Sequence, residues 1–394
     1  MAAASQLFKG DRIIWIIVLI LSLMGVLAVY SATSTLAFSE KGGDTEFYFL
    51  RHSGFLLMGL AVLYVTHRMP YAFYKIMARW GIYLSIALLV LTLAVGHDIN
   101  NAARVLPIPF LNLTLQPSDM AKLFLVLYIA RVISKNHEDA GSKRVFYQSL
   151  TSVGVVVLLI APENLSTGLM IFVTSMMLMY IGRVNLKLLG IITGIGITVL
   201  SLMVVFLLNI SPQTAKDLGK RVPTWKSRIE TFMGKNPDAE SSYQQVQSQI
   251  AVATGGVFGK GPGHSTQRYY LPHPYSDFIY AIIMEEYGLI GGLLILSCFL
   301  VLLFRCLKMV TASPQAFGAL TVVGLGLSMS FQAFLNMGVA VGVLPVTGLT
   351  IPLVSMGGTS LLFNSLSFGI ILGISRHIQE EKRKQAQETV GSLA

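Results

Sequence analysis

Long apolar runs alternate with short polar breaks along nearly the whole chain. Ten such runs stand at about 13–34, 48–66, 80–96, 119–134, 145–161, 167–182, 187–210, 277–304, 315–338 and 350–375. A helix that crosses a bilayer takes about 20 apolar residues. Several runs are shorter, yet each is bounded by charge and together they bring the loops out on alternating sides. The pattern predicts an all-α membrane protein of ten transmembrane helices, one polytopic domain over 1–394. The polar stretch 211–276, between helices seven and eight, is far longer than the other breaks, and 376–394 reads as a polar, frayed tail. The first run, "IIWIIVLILSLMGVLAVY", is too long for a signal-peptide core and no small-residue cleavage site ends it, so it reads as a retained span.

Composition agrees with that reading. Charged residues make up 12% of the 394, against roughly a quarter in soluble domains. Hydrophobic residues make up 54%, and the mean hydropathy is +0.66. Basic residues of short loops gather on the cytoplasmic side. With the N-terminus inside, 17 of the 29 Lys and Arg fall there, while the short outer loops hold only Lys41, Arg51 and Arg104. Both termini are therefore expected in the cytoplasm and 211–276 outside. Cys298 and Cys306 lie eight residues apart on one inner helix with no metal or pairing spacing, and read as inert.

The large outer loop carries eight basic residues and four acidic ones. Its field would concentrate anionic substrates at the membrane surface, although a solvated loop accounts for the same charges. Within it, "ATGGVFGKGPGHSTQ" offers glycines that let backbone N–H groups approach phosphate oxygens. Its spacing does not meet the nucleotide P-loop pattern, and a plain hinge is the simpler account.

Carboxylates raise the sharper question, because acids inside a bilayer are costly. In "PHPYSDFIYAIIMEEYG", Asp277 follows Ser276 at the mouth of the eighth helix and Glu285 and Glu286 come further in. Ser as N-cap with Asp in the first turn is ordinary helix initiation. Alternatively, an aspartate where the basic loop meets the head groups suits a general base. Lys122, in "QPSDMAKLFLVLYIA", is the one Lys or Arg well inside an apolar run, and a contact with Asp277 or Glu285 is expected of it. For Glu286 a structural pairing is the preferred reading. Arg104 would either snorkel at the head-group level or grip a phosphate, and Glu163 in "APENLSTG" would cap the sixth helix. The chain has no zinc-type His/Cys cluster, no HExxH and no GxSxG nucleophile motif, and His264 and His273 read as surface groups.

Three long stretches resemble one family: "LQPSDMAKL" (115–123), the run from "YQQVQSQIAVATGG" to "EEYGLIGG" (243–292), and "NMGVAVGVLPVTGLTIPLVSMGGTSLL" (336–362). The chain resembles the SEDS proteins (shape, elongation, division and sporulation), polytopic peptidoglycan polymerases, across nearly all ten helices. "GPGHSTQRYYLP" and "VTGLTIP" are more similar to the FtsW-type division branch than to the RodA-type elongation branch. Four positions depart from the family pattern: "NAARV" at Arg104, "PENLST" at Glu163, "PHPYSDF" before Asp277, and "SMGG" at Met356.

The resemblance implies polymerisation of lipid II onto a nascent glycan strand, with Asp277 as the essential carboxylate. Asp277 would take the proton from the acceptor sugar's 4-hydroxyl, which attacks the anomeric carbon of the lipid-linked strand and expels polyprenyl diphosphate. Arg104, Lys122, Lys260, Gln267, Arg268 and Glu285 are the expected substrate-binding residues, with a divalent cation, Mg or Mn, and no organic cofactor. The implied partners are a class B penicillin-binding protein, other division proteins and membrane lipids, with no nucleic acid. The implied place is the septum of a bacterial cytoplasmic membrane. A flippase for the same precursor and a non-catalytic scaffold are the competing readings.

Overall fold

The computed structural model describes residues 9–34, 45–95, 97–99, 102–108, 113–219, 221–235 and 240–391. It is built almost wholly of helices. The long ones are α1 (Arg12–Ala32), α2 (Thr45–Arg68), α3 (Tyr71–Val95), α4 (Pro117–Lys135), α5 (Lys143–Ile160), α6 (Leu165–Ile181) and α7 (Leu186–Asn209). Three short helices follow, α8 (Pro212–Asp217), α9 (Val222–Phe232) and α10 (Glu240–Gly255). The long α11 (Ile279–Ala312), α12 (Ala316–Ala340) and α13 (Gly358–Gly391) complete the chain. Among the described residues, eight helices are long and apolar enough to cross a membrane, which makes this a multi-pass membrane protein. Of the other two expected spans, α6 has only 17 residues, and α4 carries Asp119, Lys122, Arg131 and Lys135 within 19.

Burial sorts the helices into centre and edge. α12 and the membrane part of α13 are mostly buried, with α13 packed on α2 and α12 on α11. α7 buries only Leu189 and Leu207 and stands at the periphery. The two ends of the bundle differ in chemistry. At one end Asp11 caps α1 by accepting from Ile13 N and pairs with Arg305 of α11, while Arg376 of α13 donates to Arg68 and Met69 carbonyls. The other end carries Asp277, α8–α10 and the turns between them.

Three expectations need correction and one an addition. The all-α class holds, but β1 (His97–Ile99), β2 (Ala102–Ile108) and β3 (Leu113–Leu115) add a small antiparallel sheet in the order β1-β2-β3. Alternating apolar residues and prolines in "VLPIPFLNLTL" suit strand pairing better than a helix. The eighth long helix starts at Ile279 rather than 277, with Phe278 as its N-cap residue, so Ser276 is not a cap and Asp277 lies in the preceding turn.

The last helix starts at Gly358. The stretch 341–357 ahead of it is irregular, with Gly342, Gly348 and Leu353 at positive φ. Such backbone survives among buried helices only where its polar groups are satisfied, and here the Gln332, Asn336 and Ser355 side chains do that. Finally, 376–391 does not fray but continues α13 as helix, a stretch free of proline with Arg376–Glu380 and Glu381–Lys384 pairs at helical spacing.

Candidate active site

The turn that carries Asp277 is held from three sides. Asn336 of α12 donates to the Asp277 carbonyl at 2.7 Å and to the Leu349 carbonyl at 2.6 Å. Ser355 donates to the Ser276 carbonyl at 2.8 Å, and Met356 N to the Tyr275 carbonyl at 2.9 Å. Ser276 Oγ meets the Asp277 carboxylate at 3.1 Å. Gly348, at φ 72°, comes so close that a Cβ there would sit 3.3 Å from Asp277 Oδ2. The 341–357 stretch therefore holds the turn and packs against the carboxylate, which lines a cavity of about 280 Å3.

Part of the wall of that cavity comes from α4. Proline at the helix start and Asp119 in its first turn suit an N-terminus. One turn on, Lys122 reaches back to Asp119 at 3.3 Å and also donates to Gln332 of α12. Gln332 in turn donates to the Thr350 carbonyl at 2.7 Å. Lys122 thus lines the same cavity as Asp277, but its described partners are Asp119 and Gln332, and it does not pair with Glu285. Asp119 and Gln332 were missed by sequence reasoning, although the i,i+3 spacing of Asp119 and Lys122 was a signal available to it. The side chain of Arg104 lies outside the described residues; its neighbour Val105 lines the cavity. Glu163 does not cap α6, because Asn164 does, accepting from Thr167 N at 3.2 Å.

Glu285, Lys260, Gln267 and Arg268 assemble elsewhere, and none of them lines this cavity. Buried Glu285 takes Lys260 and the Ser265 hydroxyl, plus the N–H groups of Thr266 and Gln267, both at 3.1 Å. Glu286 accepts from Ser31 of α1 and from Ser265 N at 3.3 Å. Arg268 donates to Ser31 Oγ at 3.1 Å and lies over the Tyr269 ring. The Lys260, Arg268 and Glu285 side chains, with the Gln267 backbone N–H, therefore tie the glycine-rich loop to α11 and α1. Sequence spacing could not reveal this, since the bonds to Glu285 cross 18 to 25 positions in the chain.

A second cavity, of about 340 Å3, adjoins the first and shares Asn164 and Met170 with it. Its walls are mainly apolar, from α6, α7, α12 and the 344–347 stretch, but Arg221, just ahead of α9, and Trp225 and Arg228 within it also line it. Arg228 donates to the Thr347 carbonyl at 3.4 Å. Burial lowers its pKa, with Arg221 pushing the same way, while Asp277 and Glu240 act to raise it. A half-buried guanidinium thus lies within the field of the candidate carboxylate.

The cell cycle protein model for FtsW, RodA and SpoVE matches residues 11–380. The chain belongs to this family. A probable peptidoglycan glycosyltransferase FtsW of Coxiella burnetii is 30% identical over 374 residues, covering 92% of this chain and 95% of that protein. Stage V sporulation protein E of Bacillus subtilis is 30% identical over 371 residues, covering 93% and 97%. The fold resembles a chain from a peptidoglycan synthase complex that coordinates polymerisation and crosslinking, with TM-score 0.69, 24% identity and 94% and 98% coverage. It also resembles the rod shape determining protein RodA of Thermus thermophilus, with TM-score 0.65, 23% identity and 93% and 97% coverage.

Proposed function

We propose that this family member is a peptidoglycan glycosyltransferase that polymerises lipid II at the outer face of the bacterial cytoplasmic membrane, in septal wall synthesis. The observation that carries the reading is the pair of adjoining cavities. One is polar and lined by both Asp277 and Lys122, and the other is apolar, with two arginines at its α9 side. A polar saccharide suits the first. The lipid tail of a diphosphate-linked strand suits the second.

The reaction follows from that placement. The Asp277 carboxylate accepts the proton of the acceptor sugar's 4-hydroxyl as that oxygen forms its bond to the anomeric carbon. The bond from that carbon to the diphosphate oxygen breaks, and the electron pair leaves with polyprenyl diphosphate. Preorganised cations stabilise charge that develops on a leaving group, and Arg228 and Lys122 take that part, in place of Lys260 and Arg268. Arg104 stays a candidate on β2.

Among the described residues no group of three or more His, Cys, Asp or Glu could hold a metal ion. The cavity is lined by two carboxylates, Asp277 and the Lys122-paired Asp119, which suits the mode in which Mg is held by one or two carboxylates and the substrate's phosphates. Asp277 would then hold the divalent cation, Mg or Mn, whose chemistry is to neutralise diphosphate charge.

The proposed topology has ten spans, with α4 and α6 as the two short ones screened by their neighbours, both termini cytoplasmic and 211–276 outside. A class B penicillin-binding protein is the proposed partner; a relative of this fold sits in a synthase complex. The test is glycan-strand formation from lipid II by the purified protein, with and without that partner titrated in. Strands are expected from the wild type and none from Asp277→Asn. No strands under either condition would return the flippase or scaffold reading, and an active Asp277→Asn would remove the base.

A further inference from the structure

α11 is broken, and the break is repaired by the loop. Gly288 has φ 64° and ψ −163°, far from helical. The discontinuity leaves α11 carbonyls and N–H groups without helical partners, which a membrane segment cannot tolerate unless other groups satisfy them. The turn after α10 supplies them. Lys260 N and Gly261 N donate to the Glu285 and Glu286 carbonyls at 2.9 and 3.0 Å, while Leu289 N and Ile290 N donate to the Gly256 and Val257 carbonyls at 2.9 and 3.3 Å. Backbone lies directly on backbone. A Cβ on Gly255 would fall 1.9 Å from the Met284 carbonyl oxygen, on Gly259 2.1 Å from that of Glu286, and on Gly288 2.3 Å from that of Val257.

This docking carries the tip of the turn down beside α11, to the level of Gly288, nine residues past the helix start or about 13 Å along the axis. At that level the chain exposes Val257 and Phe258, Phe258 at 81%. Exposed apolar side chains flank the tip in both elements that it joins, Leu289, Ile290 and Leu293 on α11 and Val246 and Ile250 on α10. Single exposed apolar residues mean little, but a contiguous patch marks a binding or membrane surface.

We propose that the turn 255–261 is a re-entrant anchor whose tip, Val257 and Phe258, sits among lipid acyl chains in the leaflet on the Asp277 side. The occupant is lipid, because the patch is continuous with the outward apolar face of a membrane-crossing helix and its only cation, Lys260, is turned inward onto Glu285. The anchor ties the depth of the segment 279–287, and so the height of the Asp277 turn just before it, to the level of the head groups. The inference requires a membrane-embedded α11 but no particular chemistry at Asp277.

The experiment uses the full-length protein in phospholipid nanodiscs, with a nitroxide on Phe258→Cys. Cys298 and Cys306 are buried, so the wild type serves as the unlabelled control. Leu293→Cys gives the hydrocarbon reference and exposed Lys235→Cys the water reference. The measured quantity is collision with oxygen relative to a water-soluble nickel chelate. The ratio at 258 is expected to match that at 293 and to exceed that at 235 severalfold, because oxygen concentrates in hydrocarbon while the polar nickel chelate is kept out of it. A ratio like that at 235 would overturn the proposal. So would a label shielded from both reagents, which would place protein rather than lipid on the tip. Val257→Cys repeats the measurement should labelling at 258 disturb folding, and polymerase activity plays no part in either readout.

Discussion

Asp277 illustrates how little a residue's neighbours in sequence say about its role. "YSDFI" reads as helix initiation, yet the helix begins two positions later and the carboxylate is freed from capping to line a cavity. Asn336 holds its turn through two carbonyls. Asn336→Leu would strand both acceptors, at about 1–3 kcal/mol for each buried group left unsatisfied. The expected result is a lower Tm and a fall in kcat larger than any change in KM, with Asn336→Gln recovering part of the activity; steady-state polymerisation in nanodiscs measures it. Lys122 is the second such case. Its expected partner was an acid on the eighth helix, but Asp119 and Gln332 hold it, so Gln332→Leu should cost polymerisation through a misplaced ammonium while Lys122→Arg restores little, because a guanidinium fork does not replace a point charge. Equal activity of wild type and Gln332→Leu would remove Lys122 from the site.

At the level of elements, two glycines divide folding from chemistry. Gly288 occupies backbone space that only glycine reaches, with loop atoms pressed against it. Gly288→Ala is expected to release the 255–261 turn from α11 and leave protein that aggregates on extraction, read by size-exclusion chromatography. Gly348 also has a positive φ, of 72°, but its nearest obstacle is the Asp277 carboxylate at 3.3 Å. Gly348→Ala should therefore fold, with a modest drop in Tm, and lose most of its polymerase activity; full activity would show that the 346–350 backbone does not set the carboxylate. The glycine run read as a phosphate cradle or a hinge is instead a patch on a broken helix. Its role depends on α11 lying alongside, which no local pattern reports.

Across the whole molecule, the two polar ends perform different work. The Asp11–Arg305 pair stands at the end away from Asp277, with Asp11 nearly buried. Removing one partner of a buried pair leaves the other uncompensated, so Asp11→Ala is expected to lower Tm while leaving KM for lipid II unchanged; a changed KM would mean that the ends communicate. The helices, their apolar faces and the basic asymmetry of their loops could be read from sequence alone. Length and hydropathy decide whether a segment can live in lipid, and both are local quantities. The family likeness was legible too, in long motifs. The sharing of the charged side chains was not. Lys260, Gln267, Arg268 and Glu285 drew together away from the cavity, while Asp119, Gln332, Arg221 and Arg228 came to line the two cavities beside Asp277. A charge in a low-dielectric interior takes whatever partner packing brings within hydrogen-bonding distance, and that distance is fixed between helices far apart in the chain, after they have assembled.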